Sequence, residues 1–369
     1  MYSVELTPSD VDRLSAIGRL LIDQKRARIV VKPQRPADGH WFGGGNLVEG
    51  PDGAYYLCGR YRNAGDSRTG VGAGERGLEL AVFRSSNGCT SFEKVLSLPK
   101  QALGVNDLTA VSIEGCAMQF IDDGVRLFVS TEKAGIGYPP ALSDYHKPGT
   151  GVWTIEEIRA ADVAGLASAP VRTVLSGDEP EYLNIKDPFL YNEGGKQRLG
   201  FCTHPFTWAS SNTASACETE PGVFSARFGV VPRGAAWDVA ITRVTCVVPV
   251  PRVGCFRDRA YSLVFYDGGE CMHQHSEHEK AAHRPRGYSC EELGGLGVTL
   301  DGDFETFTRL SRFRPAFVSP WGTGCSRYVN VCWGKQKVFA TWQQGQADGS
   351  QPLVLNTVER TEIDRLLLA

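Results

Sequence analysis

Tyr182-Leu-Asn-Ile-Lys-Asp-Pro-Phe-Leu-Tyr-Asn-Glu-Gly-Gly-Lys-Gln-Arg-Leu-Gly-Phe201 reads as a buried strand, a turn over Asn192 to Gly195, and a return strand. Its Lys186-Asp187-Pro188 triplet falls where the first strand starts, a position from which a carboxylate can serve a site. Similar units recur near residue 42, near residue 113, and twice more toward the C-terminus. This repetition decides the fold class.

The first unit runs from about Lys32 to Lys94. Trp41-Phe42-Gly43-Gly44-Gly45-Asn46-Leu47-Val48, Ala54 to Arg62, Leu78 to Gly88 and a short segment at Phe92 predict four antiparallel strands joined by turns at Pro51-Asp52-Gly53 and Asn87-Gly88. Four such strands make one propeller blade. The second unit holds Ser112 to Ile121, the Asp122-Asp123-Gly124 turn and Val125 to Ser130, with Trp153 to Arg159 read as a helical turn or an outer strand. The third starts at Lys186-Asp187-Pro188 and continues through Gly200 to His204 and Val223 to Phe228. A fourth is expected to start near Asp258, and the last runs from Phe317 through Arg327 to Cys332 and Val338 to Trp342. The units start roughly 60 to 75 residues apart, longer than a bare blade of about 40 to 50 residues. The blades therefore carry inserted loops, the usual carriers of function. The expected fold is all-β, a five-bladed β-propeller over 32–358, with an N-terminal helical extension at 1–31 and a C-terminal helical tail at 359–369. In the extension, Thr7-Pro8-Ser9-Asp10 caps a helix with Val11, Leu14, Ile17 and Leu21 on one face, expected to pack on the main domain as a lid or plug.

Composition agrees with a turn-rich globular protein: 42% hydrophobic and 22% charged residues, with 42 glycines and 20 prolines. The 39 Lys and Arg against 42 Asp and Glu give a net charge of -3, without the clustered excess of base that nucleic acid demands. Eleven scattered cysteines do not make a disulfide framework. No basic region leads into an apolar segment at the N-terminus, and no run approaches about 18 apolar residues. The expectation is a cytoplasmic protein with reduced thiols that engages neither nucleic acid nor membrane.

The Asp-Gly hairpins, Gly59-Arg60-Tyr61-Arg62, Arg84-Ser85-Ser86-Asn87-Gly88, Ile113-Glu114-Gly115 and Lys186-Asp187-Pro188 together resemble the five-bladed β-propeller glycoside hydrolase superfamily. The first blade looks more like the mannoside phosphorylase and hydrolase branch, whereas the Lys-Asp-Pro triplet is similar to the arabinanase, xylosidase and fructosidase branch. In the latter the acidic order is Asp, then Asp in the basic-Asp-Pro triplet, then Glu before Gly; here Glu114 precedes Asp187. The resemblance implies cleavage of a glycosidic bond, which needs one protonated carboxyl for the leaving oxygen and one ionised carboxylate. Innermost strands of a propeller bring carboxylates distant in sequence to the axis, where their proximity drives their proton affinities apart. Asp38, Glu114 and Asp187 are the candidates, with Glu114 expected as proton donor, Asp38 as base, and Asp187 orienting the sugar or tuning the donor. Asp107 is the substitute for Asp38. A plainer reading has Asp38 capping a turn, Glu114 paired with an arginine, and Asp187 accepting backbone hydrogen bonds ahead of Pro188.

Arg60 and Arg62 share a strand face across Tyr61, so their guanidinium groups could clamp a carboxylate, sulfate or phosphate of a substrate, or form ordinary salt bridges to Glu79 or Asp66. Trp41, Phe42, Trp208 and Trp321 are candidates for sugar stacking or for core. His204 ends an inner strand. Cys271-Met-His-Gln-His-Ser-Glu-His278 concentrates histidines: His273 joins the candidate substrate-binding residues, and His273, His275 and His278 are weak metal candidates, their spacing matching no standard finger. The chemistry requires no cofactor; a bound metal ion is the alternative that segment leaves open. Gly72-Ala-Gly74-Glu-Arg-Gly77 lacks the strand and helix of a dinucleotide site, and the thiols of Cys58, Cys202 and Cys332 lie in apolar strands where they are inert.

The expected function is a glycoside hydrolase-like enzyme acting on a small or acidic glycoside, the partner being a small carbohydrate or glycosylated metabolite. The alternatives are a noncatalytic or biosynthetic propeller on the same scaffold, and a polysaccharide lyase using Tyr61, His204 and Arg60. Oligomeric state is left open.

Overall fold

A computed structural model of the chain describes residues 4–63, 77–136, 138, 140–145, 151–177, 182–204, 210–270 and 292–368. The chain enters through helix α1 (Pro8–Leu21) and strand β1 (Arg28–Val31). Blade one follows, with β2 (Trp41–Gly43) and β3 (Leu47–Glu49) both pairing with β4 (Tyr55–Arg62), then β5 (Glu79–Ser85) and β6 (Glu93–Pro99). Blade two is β7 (Ala110–Ile121), β8 (Gly124–Lys133), β9 (Val152–Ala160) and β10 (Val171–Ser176); blade three is β11 (Lys186–Glu193), β12 (Lys196–Thr203), β13 (Asn212–Glu220) and β14 (Val223–Arg227). Blade four is β15 (Ile241–Pro249), β16 (Tyr261–Gly269), β17 (Leu293–Leu300) and β18 (Asp303–Arg309). Blade five takes β19 (Ser326–Trp333), β20 (Lys337–Gln344) and β21 (Leu353–Glu359), and its outer strand is β1, antiparallel to β21 with Arg28 opposite Leu355. Helix α2 (Arg360–Leu368) ends the chain. The protein is a five-bladed β-propeller.

The fourth unit was expected to start near Asp258, but its first strand is Ile241–Pro249, and the segment from Tyr261 is its second. The two are separated by a turn-rich stretch containing a short 3-10 turn at Gly254–Phe256, so the β-branched run before it stood apart in the sequence. Trp153 to Arg159 lies in the third strand of blade two. In the third blade, Glu193 faces Lys196 across Gly194 and Gly195, whose φ of 57° and 74° are those of a tight hairpin turn that glycine enters without strain.

Each junction between neighbouring sheets buries its own core. Leu80 and Val82 meet Met118 and Leu127 between blades one and two, Phe128 and Ile155 meet Phe201 and Ala214 between two and three, and Phe189 meets Val264 and Tyr266 between three and four. Phe339 and Leu353 close onto Phe42 and Leu57 between five and one. The junction of blades four and five is enlarged by the helices: Leu14, Ile17 and Leu21 of α1 and Ile363 and Leu367 of α2 pack with Phe265, Leu296 and Trp342. Helix α1 starts at a capping box between Thr7 and Asp10 with Pro8 in its first turn, and Asn356 Nδ2 donates to the Leu20 and Leu21 carbonyls at its far end, both at 2.9 Å. Among the described residues no helix is long and apolar enough to cross a membrane.

Candidate functional site

The first strands of neighbouring blades contact one another, β7 with β11, β11 with β15 and β15 with β19, and β3 touches both β19 and β7. They line the axis. Each breaks register near its start: between Ile113 and Cys116 in β7, Lys186 and Phe189 in β11, Val244 and Cys246 in β15, and Arg327 and Asn330 in β19. In blade one the break is the gap between β2 and β3. A β-bulge lets neighbouring residues turn their side chains out of the strict alternation of a strand, and this ring of irregularities aims side chains from all five blades at one end of the axis. Asp187 and Tyr328 adopt φ of 54° and 53°. For a bulky aromatic side chain the left-handed region is strained, and such strain persists only where surrounding contacts enforce it.

Glu114 is buried at this end. Arg60 Nε and Nη2 donate to its Oε2 at 3.3 and 2.8 Å, and Arg62 Nη1 donates to Oε1 at 2.7 Å. Burial alone would raise the proton affinity of this carboxyl, but Arg62 and Arg60 outweigh it and hold Glu114 well below the usual carboxylate range. That is the opposite of the environment a proton donor needs. Arg60 and Arg62 both clamp the protein's own Glu114, and Glu79 pairs with Lys94 at 2.7 Å; Asp66, the other expected salt-bridge partner, lies outside the described residues. Tyr61 points the other way, its ring 4.6 Å from that of Phe42 in the core, which removes it from the lyase trio.

Asp187 has donors on both oxygens. Gly115 N–H (2.9 Å) and Tyr328 OH (3.3 Å) reach Oδ1, while Arg243 Nη1 (3.1 Å) and the Cys202 thiol (3.4 Å) reach Oδ2. A Cβ at Gly115 would lie 2.8 Å from the Asp187 Cα, so the approach requires glycine. Arg243 also donates through Nε and Nη2 to Asp267 (3.2 and 2.8 Å) and through Nη2 to Glu292 (3.3 Å), and Glu292 takes Arg327 Nη1 at 2.7 Å. The Tyr328 ring lies 5.1, 4.6 and 5.4 Å from the guanidinium carbons of Arg60, Arg243 and Arg327. Burial raises Asp267 to about 6 against the pull of Arg243 and pushes the Tyr328 phenol above its ordinary value.

His204 joins this end of the axis. Its Nδ1 is 2.8 Å from the Ser210 carbonyl, and burial, followed by Lys186 and Arg243, drives its imidazole well below the usual value, so it is neutral at pH 7. The Lys186 ammonium lies 5.1 Å from the Trp153 ring. Burial lifts the Cys202 thiol to about 12, with Asp187 adding to the shift, as expected of an inert cysteine. Asp187, Lys186, Glu292 and Tyr328 retain 6 to 7% exposure whereas Asp267 has none, so Asp267 is the most deeply buried carboxylate of the cluster. Asp187 and Tyr328 line a narrow axial channel with Asn46, Cys116, Thr245 and Asn330.

The structure does not draw every predicted residue into this cluster. Asp38 is exposed beside Gly349 and takes no part in the cluster's hydrogen bonds among the described residues. Asp107, its substitute, is an exposed turn residue with φ of 64° in the Val105–Leu108 hairpin. The Trp41 ring is packed by Arg62 and Arg327 at 4.8 and 4.3 Å, and Phe42 is fully buried, so Phe42 is core. Trp321 is 38% exposed. Trp208, His273, His275 and His278 lie outside the described residues, and among the described residues no three His, Cys, Asp or Glu side chains are grouped to hold a metal ion. The residues missed in the sequence are Arg243, Asp267, Glu292, Arg327 and Tyr328. Two carried a signal: Arg243 interrupts the run Ile241-Thr-Arg-Val-Thr245, and Asp267 ends an apolar strand immediately before Gly268-Gly269.

Among the described residues, Trp41 Nε1, Ser112 Oγ, Trp153 Nε1, Asn184 Oδ1, Thr203 Oγ1 and Thr242 Oγ1 are buried polar atoms without hydrogen-bond partners. Buried polar atoms are normally satisfied by protein, water or ligand.

No protein-family model matches the sequence, and no curated protein matches it. Solved structures do match in shape. A protein described as a glycoside hydrolase superposes with a TM-score of 0.63 at 11% identity, covering 96% of both chains. An alpha-L-arabinofuranosidase from Lactobacillus brevis gives 0.55 at 9% identity over 88% of this chain and 92% of its own. A beta-1,2-mannobiose phosphorylase from Listeria innocua, solved with beta-1,2-mannobiose, gives 0.51 at 11% identity over 92% of this chain and 96% of its own. The chain thus has the fold of the five-bladed propellers that act on glycosides. At these identities the likeness is one of backbone architecture.

Proposed function

We propose that the protein is a glycoside-processing enzyme that takes a small carbohydrate or glycosylated metabolite at the axial cluster. The observation that carries this reading is the pair Asp187 and Glu292, drawn from two blades, held on separate nitrogens of one guanidinium, Arg243 Nη1 and Nη2, and both keeping a little exposure where Asp267 has none. Two carboxyl groups fixed on either side of a small space are what glycosidic cleavage uses. In this reading Asp187 and Glu292 divide the acid and base roles, and Glu114, held ionised by its two arginines, sets the field. The unpartnered indole, amide and hydroxyl atoms suit a neutral, hydroxyl-rich ligand. An acidic substrate is less well served, because Arg60 and Arg243 already spend their donors on protein acceptors.

The test is product formation from aryl glycosides and short oligosaccharides, with and without phosphate, comparing the native protein with Asp187→Asn and Glu292→Gln. Each variant is expected to lose about 10²- to 10⁴-fold in turnover; turnover surviving both substitutions would remove the pair from the mechanism. A dependence on phosphate would make the reaction a phosphorolysis. A second reading, a binding or biosynthetic propeller that has left hydrolysis behind, is favoured by one observation: β2, the first strand of blade one, is Trp41-Phe42-Gly43 and carries no carboxylate. Saturable sugar binding without turnover would select it.

A further inference from the structure

Asp267 has no exposed surface and cannot touch a substrate, yet it holds two of the four groups that donate to Asp187. Its Oδ2 receives Arg243 Nε and Nη2, and its Oδ1 receives the Tyr328 backbone N–H at 3.0 Å, with Oδ2 at 3.3 Å from the same nitrogen. Arg243 then reaches Asp187 Oδ2 through Nη1, and Tyr328 reaches Asp187 Oδ1 through its hydroxyl. Asp267, Arg243, Asp187 and Tyr328 therefore form a closed loop of hydrogen bonds across blades three, four and five. The backbone N–H that Asp267 grips belongs to a tyrosine in the left-handed region, a conformation that contacts must enforce.

We propose that Asp267 is the positioning residue of this site, and that adding a proton to it loosens the hold of Tyr328 on Asp187 and redistributes Arg243 between Asp187 and Glu292. The reason is geometric. Every contact around the carboxylate is a donor, Arg243 from β15 and the Tyr328 N–H from β19, so a proton on either oxygen must displace one of them. The remaining charged neighbours are Glu292, ahead of β17, which favours the proton, and Arg327 on β19, which opposes it. Burial places the change near pH 6. Once protonated, Asp267 no longer balances Arg243, which turns to Glu292 and Asp187, and the Tyr328 N–H loses its charged acceptor.

The proposal rests on the axial cluster being the functional site, but its test does not need a substrate. The full chain labelled with carbon-13 at the tyrosine ζ position is titrated from acid to neutral pH by NMR, with the Tyr328 signal identified by its loss in Tyr328→Phe. The expected result is a Tyr328 shift with a midpoint near 6 in the native protein and no such step in Asp267→Asn, whose amide presents donors to donors. A Tyr328 signal that stays flat in the native protein overturns the proposal, as does the same midpoint in Asp267→Asn; if that variant does not fold, the native titration together with Asp267→Glu, expected to move the midpoint, decides. Where a turned-over glycoside is found, the acid limb of kcat should follow the NMR midpoint, and Asp267→Asn should lower kcat about 10²-fold with KM little changed. A limb unrelated to the midpoint counts against Asp267, whereas an NMR step without any turnover supports the positioning role and removes the glycosidase reading.

Discussion

A carboxylate gripped by two buried guanidinium groups is bound to the fold by charge, and Glu114 is such a residue. Removing its charge by Glu114→Gln leaves Arg60 and Arg62 buried without their counterion, at an expected cost of about 3 to 5 kcal/mol, measurable by urea denaturation. Because its folded-state value lies below the ordinary one of 4.5, its contribution is complete above that value and is lost as pH falls beneath it; the difference between native protein and variant should shrink on acidification. Asp267 has the opposite sign. Its folded value is raised from 3.8 to about 6, so the stability linked to its proton is present below 3.8 and disappears as pH rises through about 6. Glu114 and Asp187 were legible in the sequence through the motifs Ile113-Glu114-Gly115 and Lys186-Asp187-Pro188. Tyr328 and Arg243 lie in bulges built from ordinary strand residues, where no local signal distinguishes an axial side chain from a core one. The roles assigned to Glu114 and Asp38 depended on which groups surround them, and that is set by how five distant segments converge.

At the level of elements, the bulges position the site and the helices brace the blades. Gly115 is the contact through which β7 meets β11, and an added methyl would meet the Asp187 backbone at 2.8 Å, which cannot yield as a flexible side chain can. Gly115→Ala should destabilise by about 1 to 3 kcal/mol and reduce turnover by displacing Asp187, as thermal melting and the glycoside assay would record. Helix α1 was readable from Thr7-Pro8-Ser9-Asp10 and its apolar spacing, but its place against blades four and five was not, since a face says only that something covers it. Leu14, fully buried there, should cost about 2 to 5 kcal/mol when cut to alanine, with the denaturant slope unchanged if the native shape survives. The start of blade four was misread by one strand because strand identity within a blade is fixed by position relative to the axis, a property the local pattern of β16 does not carry.

The molecule as a whole is a ring of five sheets with a core at each of its five junctions, and no blade is complete in its sealing until its neighbours are present. The repeat was visible in the sequence because each blade repeats the same turns and alternation; the final pairing was not, because β1 is short and joins the last blade. That pairing sets the order of assembly. Segments that meet at this seam lie as far apart as 336 residues, as Leu20 and Asn356 do. At about 5 to 20 residues added per second, the strand at Arg28 waits roughly 15 to 65 s for its partner during synthesis, with an unpaired edge exposed throughout. Closing so long a loop is slow. Once closed, the ring is held at three places, β1 on β21, blade five on blade one and Asn356 on α1, so neither end of the chain can peel away alone.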